Sequence, residues 1–134
     1  MKSPWYKAKV LHGDKIGRKM AYPTINLAPT ILESRKEGVY AVTVRYKGNE
    51  RPGALYFGPR LVKKEDSQVL EINIFDFDKD VYGAEIEFRL GQYIRGVMDF
   101  DNLDELKKQI EKDVEEITRL IGGSAGEAEK NLSI

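Results

Sequence analysis

The chain has 134 residues, of which 41% are hydrophobic and 33% charged, the values of one folded domain rather than a disordered segment. It has no cysteine and a single histidine, His12, which excludes disulfides and thiol chemistry and leaves no zinc-ligand set. The net charge of zero hides a division: residues 1–67 hold 14 Lys/Arg against 6 Asp/Glu, and residues 68–134 hold 8 against 16. Such asymmetry can prepare one side of a fold for an anion, although a solvated surface accounts for the counts equally.

The N-terminal "MKSPWYKAKV" has no apolar core of a signal peptide, and no run approaches the roughly 18 apolar residues of a membrane span. A cytoplasmic location is therefore expected, with no membrane partner. The first strand is expected over residues 6–11. After it, "HGDKIGRKM" combines Gly13 and Gly17 with Lys15, Arg18 and Lys19, so backbone N–H groups and cations could meet an anion. Two glycines four apart are a weak signal, and a plain flexible loop explains them as well. In "AYPTIN", Pro23 stiffens an extended segment on which Thr24 and Asn26 point the same way. Their two neutral oxygens suit a magnesium ion that takes its other ligands from water and phosphate. A Ser/Thr or Asx turn at a strand end is the competing reading.

Further strands are expected at 39–46, 53–57, 69–75 and 85–94, with "KGNERP" as the turn between the first two of these. Within "VLEINIF", Leu70, Ile72 and Ile74 face one way while Glu71 and Asn73 face the other. A carboxylate on a strand with apolar neighbours is a candidate general base, or else an ordinary solvent-facing glutamate. Asp76, Asp78 and Asp80 lack the glycine and distal glutamate of a calcium loop and read as a hairpin turn. In "YIRGVMDF", Arg95 could hold a planar ligand or a phosphate with Phe100 over it; equally, the two could be an ion pair and a helix staple. Leu103, Leu106, Ile110, Val114, Ile117 and Ile121 then recur on one helical stripe, read as core. Asn102 and Glu105 supply a capping box, and Gly122–Gly123 a stop.

"HGDKIGR" before "YPTIN", then "GVYAV", "LEINIFDF", "DVYG" and "YIRGVMDF" ahead of an acidic helix span about residues 6–120. In that order they resemble the riboflavin kinase (flavokinase) family, specifically the kinase module of bacterial riboflavin biosynthesis enzymes. The resemblance implies a mainly β fold, a six-stranded antiparallel Greek-key β-barrel with a C-terminal α-helix. It implies transfer of the ATP γ-phosphate to the ribityl 5′-hydroxyl of riboflavin, giving FMN, with Mg2+ as the metal. Thr24 and Asn26 fall on the metal and phosphate ligands, Glu71 on the catalytic base. Gly13, Lys15, Gly17 and Arg18 fall in the flap over the nucleotide, and Ile74, Asp76 and Tyr82 on nucleotide contacts. Arg95, Met98, Phe100 and Glu105 fall on the flavin side.

The chain departs from the family pattern at Ala21–Tyr22, at "YFGPRLV", at Asn73 in place of a common histidine, and at residues 96–98. Residues 1–122 are expected to form the kinase domain, with barrel 5–101 and helix 103–121, and residues 123–134 a polar tail. Neither an α/β nucleotide-binding region nor a His-x-Gly-His motif is present, so FMN but not FAD is the expected product. The small molecules riboflavin and ATP are the expected partners, for a monomer that does not bind nucleic acid. Two rivals remain: a nucleic-acid-binding barrel stacking bases on Tyr40, Tyr46 and Tyr56, and a flavin-binding regulator without catalysis.

Overall fold

The computed structural model describes residues 3–12, 22–59 and 67–122. Six strands and one long helix follow in order: β1 (Trp5–Lys9), β2 (Ile25–Leu27), β3 (Gly38–Tyr46), β4 (Asn49–Pro59), β5 (Gln68–Ile74), β6 (Glu85–Arg95) and α1 (Leu103–Gly122). A short 3-10 turn, Pro29–Leu32, links β2 to β3. The strands form one antiparallel sheet in the order β1-β6-β3-β4-β5-β2. Within it, β6 returns to lie beside β3 after the β3-β4-β5 meander, which is a Greek key. The sheet curls until its edges meet: Leu11, just past β1, bridges to Asn26 of β2 through a 2.7 Å N–H to carbonyl bond. The result is a barrel, as the resemblance implied; the period-two patterning by itself allowed a barrel or a sandwich.

Alternation decides what the barrel encloses. On β5 the buried residues Leu70, Ile72 and Ile74 face inward, and Glu71 and Asn73 face out. Leu55, Phe57, Ile72 and Phe88 are wholly buried, each contributing about 1.5–3 kcal/mol by removal from water. Leu32 and Val81, from the two irregular connections, join the same cluster.

Three expectations need correction. β4 begins at Asn49, not 53, because the turn is only Lys47–Gly48, both with positive φ (49° and 81°). That is the two-residue turn whose twist matches the flanking strands, and "NERP" is strand despite its charges and proline. Secondly, β5 and β6 are not hairpin partners: β5 pairs with β4 and β2, and β6 with β3 and β1. Apolar alternation cannot distinguish a hairpin turn from a crossover. Here Asp76 takes a left-handed φ of 55° and Val81 plugs the barrel, so the chain crosses the barrel end instead of reversing.

Thirdly, the helix stripe is only partly core. Leu106 and Ile117 are buried while Leu103 is 40% exposed, and neither buried residue belongs to the barrel cluster. The helix lies against the outside of β4 and β6. Its start is as expected: Asn102 Oδ1 accepts the Glu105 N–H at 2.9 Å. Glu105 reaches back to the Asp101 N–H, one residue earlier than a strict capping box.

Candidate active site

The outer face of β2 and β5 brings together residues 47 positions apart. Register pairs Asn26 with Glu71, and Glu71 in turn with Tyr56 of β4. Just before β2, the Thr24 hydroxyl donates to Glu71 Oε1 at 3.0 Å. Asn73 fixes the approach: its Nδ2 donates to the Pro23 carbonyl at 2.9 Å, holding the proline segment against β5. Among the described residues the Asn26 carboxamide has no side-chain hydrogen bond, while its backbone carbonyl closes the barrel. Thr24, Asn26 and Glu71 thus form one group of hard oxygen atoms on rigid backbone. Two neutral oxygens beside a carboxylate fit a magnesium ion that retains water and phosphate ligands. No group of three or more His, Cys, Asp or Glu among the described residues offers a denser metal cage.

A cleft opens beside this group, lined by Thr24, Asn26, Leu11, His12, Ile74, Asp78, Asp80 and Tyr82 among others. Two of the expected nucleotide contacts, Ile74 and Tyr82, therefore share it with Thr24 and Asn26. His12 stacks on Tyr82, ring centroids 3.6 Å apart and planes 17° from parallel. Asp80 Oδ1 accepts the Tyr82 N–H at 3.1 Å and holds the turn that presents this ring. Asp76 does not line the cleft; its carbonyl instead accepts Arg51 Nη1 at 3.0 Å. Gly13, Lys15, Gly17 and Arg18 lie outside the described residues.

The expected flavin side is organised around Arg95, at the end of β6. Its guanidinium meets the Asp113 carboxylate of α1 in a two-pronged ion pair, Nε to Oδ1 at 2.9 Å and Nη2 to Oδ2 at 2.8 Å. Nη1 donates to the Gly96 carbonyl at 2.9 Å, and Gln109 adds a 3.1 Å bond to Asp113. The side chains are 15% and 7% exposed, and the pair joins strand to helix. Gly38 is required by the same corner: a Cβ there would lie 2.3 Å from the Arg95 carbonyl, and its φ is +149°. Beyond Arg95, Met98 is 40% exposed and Phe100 half-buried, while Glu105 serves the helix cap.

Tyr56, which carries no catalytic signature in sequence, links the two regions. It stands opposite Glu71, and its hydroxyl donates to the Pro59 carbonyl at 2.5 Å. Burial lifts its pKa well above the ordinary phenol value; the negative charge of Glu37 adds to this, Arg95 opposes it, and Glu71 and Asp99 add smaller increments. The unusual Tyr22 finds an environment as well: burial raises its pKa, and so do the helix carboxylates Glu111 and Glu115. Tyr40, offered as a base-stacking residue, is buried in the core with its hydroxyl on the Lys36 carbonyl. Tyr46 packs on the same core. Tyr40 therefore offers no face for a base, while Tyr46 and Tyr56 are half-buried.

Comparison with known proteins adds the family. A family model described as "Flavokinase: Riboflavin kinase" matches residues 2–121. A bifunctional riboflavin kinase/FMN adenylyltransferase of Haemophilus influenzae is 40% identical over 108 residues, covering 80% of this chain and 35% of that protein. The Bacillus subtilis protein of the same description is 37% identical over 124 residues, covering 84% and 37%. The chain thus spans about a third of the length of the curated relatives it matches. Among solved structures, a chain described as a macrolide-efflux protein from Streptococcus pneumoniae superposes with a TM-score of 0.70 at 31% identity, covering 84% of this chain and 38% of that one. A riboflavin kinase from Trypanosoma brucei superposes with a TM-score of 0.63 at 23% identity, covering 90% and 81%, a likeness of fold. No described helix is long and apolar enough to cross a membrane.

Proposed function

The chain belongs to the riboflavin kinase family, and from that premise we propose that it transfers the γ-phosphate of ATP to the ribityl 5′-hydroxyl of riboflavin, giving FMN and ADP. The observation that carries this reading is the group Thr24, Asn26 and Glu71, held on one face beside a cleft with Ile74 and Tyr82. Phosphoryl transfer asks for positioning and charge stabilisation more than covalent chemistry, and this group supplies both.

Glu71 accepts the proton of the ribityl 5′-hydroxyl as that oxygen bonds to the γ-phosphorus and the bond to ADP breaks. Thr24, donating to Oε1, fixes the carboxylate orientation. Thr24 and Asn26 are the residues that would hold magnesium, which when bound neutralises phosphate charge. The His12–Tyr82 stack forms the wall on which the nucleotide lies. Arg95 serves as a positioning residue: committed to Asp113, it fixes the segment bearing Met98 and Phe100 rather than gripping the flavin itself. Residues 1–122 form the kinase domain, acting on small molecules in the cytoplasm as a monomer.

Incubation of the chain with riboflavin, ATP and magnesium, with flavins separated by chromatography, tests the proposal. FMN appearing in proportion to ADP is the expected result. Riboflavin bound but unconverted would replace the kinase with a flavin-binding regulator.

A further inference from the structure

The barrel mouth carries a second cleft, which is not lined by Thr24, Asn26 or Glu71. β3 and β4 run on past β5, whose last residue, Ile74, pairs with Gly53. On this overhang the inward face changes character. Leu55 and Phe57 of β4 are buried and apolar, but Arg51 and Asn49, continuing the same two-residue period, are polar. Between the overhang and the chain after β5 lies a cleft whose polar lining is Lys47, Asn49, Arg51 and Lys79, with no carboxylate among its residues. The first cleft, by contrast, is lined by Asp78 and Asp80. Ile74, Phe77 and Lys79 line both.

Two local observations bear on how Lys47 and Arg51 are held. Lys47 occupies a left-handed position, φ 49°, in a turn that favours Asn, Asp or Gly there, with its ammonium 5.3 Å from the Tyr46 ring centroid. Arg51 is fixed by its bond to the Asp76 carbonyl, with the guanidinium carbon 5.7 Å from the Phe77 ring centroid. A planar cation held by a backbone carbonyl, with two ammonium groups beside it, describes a receptor for a phosphate group.

We propose that the overhang is a phosphate-binding site, distinct from the Thr24–Asn26–Glu71 group and independent of whether the chain phosphorylates riboflavin. Titration of the full chain with inorganic phosphate, followed by amide NMR against sodium chloride at matched ionic strength, tests it. The amides of Lys47, Gly48, Asn49 and Arg51 shift saturably, and Lys47→Asn weakens binding roughly fivefold as one of three cations is lost. The same substitution raises the melting temperature, since asparagine suits the left-handed turn. Adenosine monophosphate moving these amides with higher affinity than phosphate identifies a nucleotide ligand, and equal affinity identifies inorganic phosphate; both support the site. Shifts reproduced by chloride, or unchanged phosphate affinity in Lys47→Asn, would overturn it.

Discussion

Two polar regions lie on the outside of this barrel, and they treat their charges differently. At the junction of β6 and α1, Arg95 and Asp113 satisfy each other with two bonds, Gln109 and the Gly96 carbonyl complete the set, and Asp113 is buried while Arg95 is half-buried. On the β2–β5 face, Glu71 receives the Thr24 hydroxyl, the Asn26 carboxamide faces a cleft, and the group is only partly buried. A closed network holds two elements in place; an open one presents oxygen atoms to a ligand. Resemblance assigns a ligand to both regions; under the proposed function the Thr24–Asn26–Glu71 group acts on the substrates and the Arg95–Asp113 pair positions the segment after β6.

Substitutions can break that distinction or sharpen it. The largest effect falls on turnover: Glu71→Gln keeps the shape and removes the base, so kcat for FMN formation drops about 100- to 10,000-fold while MgATP affinity holds. Wild-type turnover in this variant removes Glu71 from the chemistry. Next comes Asp113→Ala, which leaves the half-buried Arg95 without its partner and lowers the unfolding free energy by about 2–4 kcal/mol, read by urea denaturation. A loss below about 1 kcal/mol would show that the pair is not the clamp described. Thr24→Ala and Asn26→Ala each raise the magnesium needed for half-maximal rate on the order of tenfold, with melting temperature nearly unchanged. Magnesium titrations overlying wild type would dissolve the metal pair.

The smallest effect belongs to Tyr56→Phe, which loses one hydrogen bond worth about 1 kcal/mol. Its pH dependence is more telling. The folded-state pKa of Tyr56 is raised above its ordinary value of 10, so its contribution is full below pH 10 and is lost as the pH climbs towards the folded-state value. Wild type therefore loses stability above pH 10 more steeply than Tyr56→Phe. Parallel alkaline profiles would show that this phenol is not the buried group.

Much of the fold was legible because alternation in "VYAVTVRY", "VLEINIF" and "EIEFRL" states which side chains face inward. The Glu71–Asn73 face and the Thr24–Asn26 pair were legible for the same reason. What escaped depends on contacts distant in sequence. Nothing local distinguishes the "DFDKDVYG" crossover from a hairpin, and only the sheet order reveals that β6 lies between β1 and β3. Tyr56 reads as an ordinary strand tyrosine until register sets it against Glu71. Asp113 did leave a signal: it lies four residues before Ile117 and seven after Leu106, on the stripe that is buried. A carboxylate there demands a cation, and Arg95 is that cation.

The most direct test is a crossed measurement on Glu71→Gln and Asp113→Asn, recording FMN formation and the urea midpoint of each. Glu71→Gln should lose turnover and keep its midpoint, while Asp113→Asn should lose midpoint and, below its unfolding range, keep the larger part of its turnover. Equal losses of turnover, with both midpoints at the wild-type value, would contradict the division between an open catalytic face and a closed structural clamp.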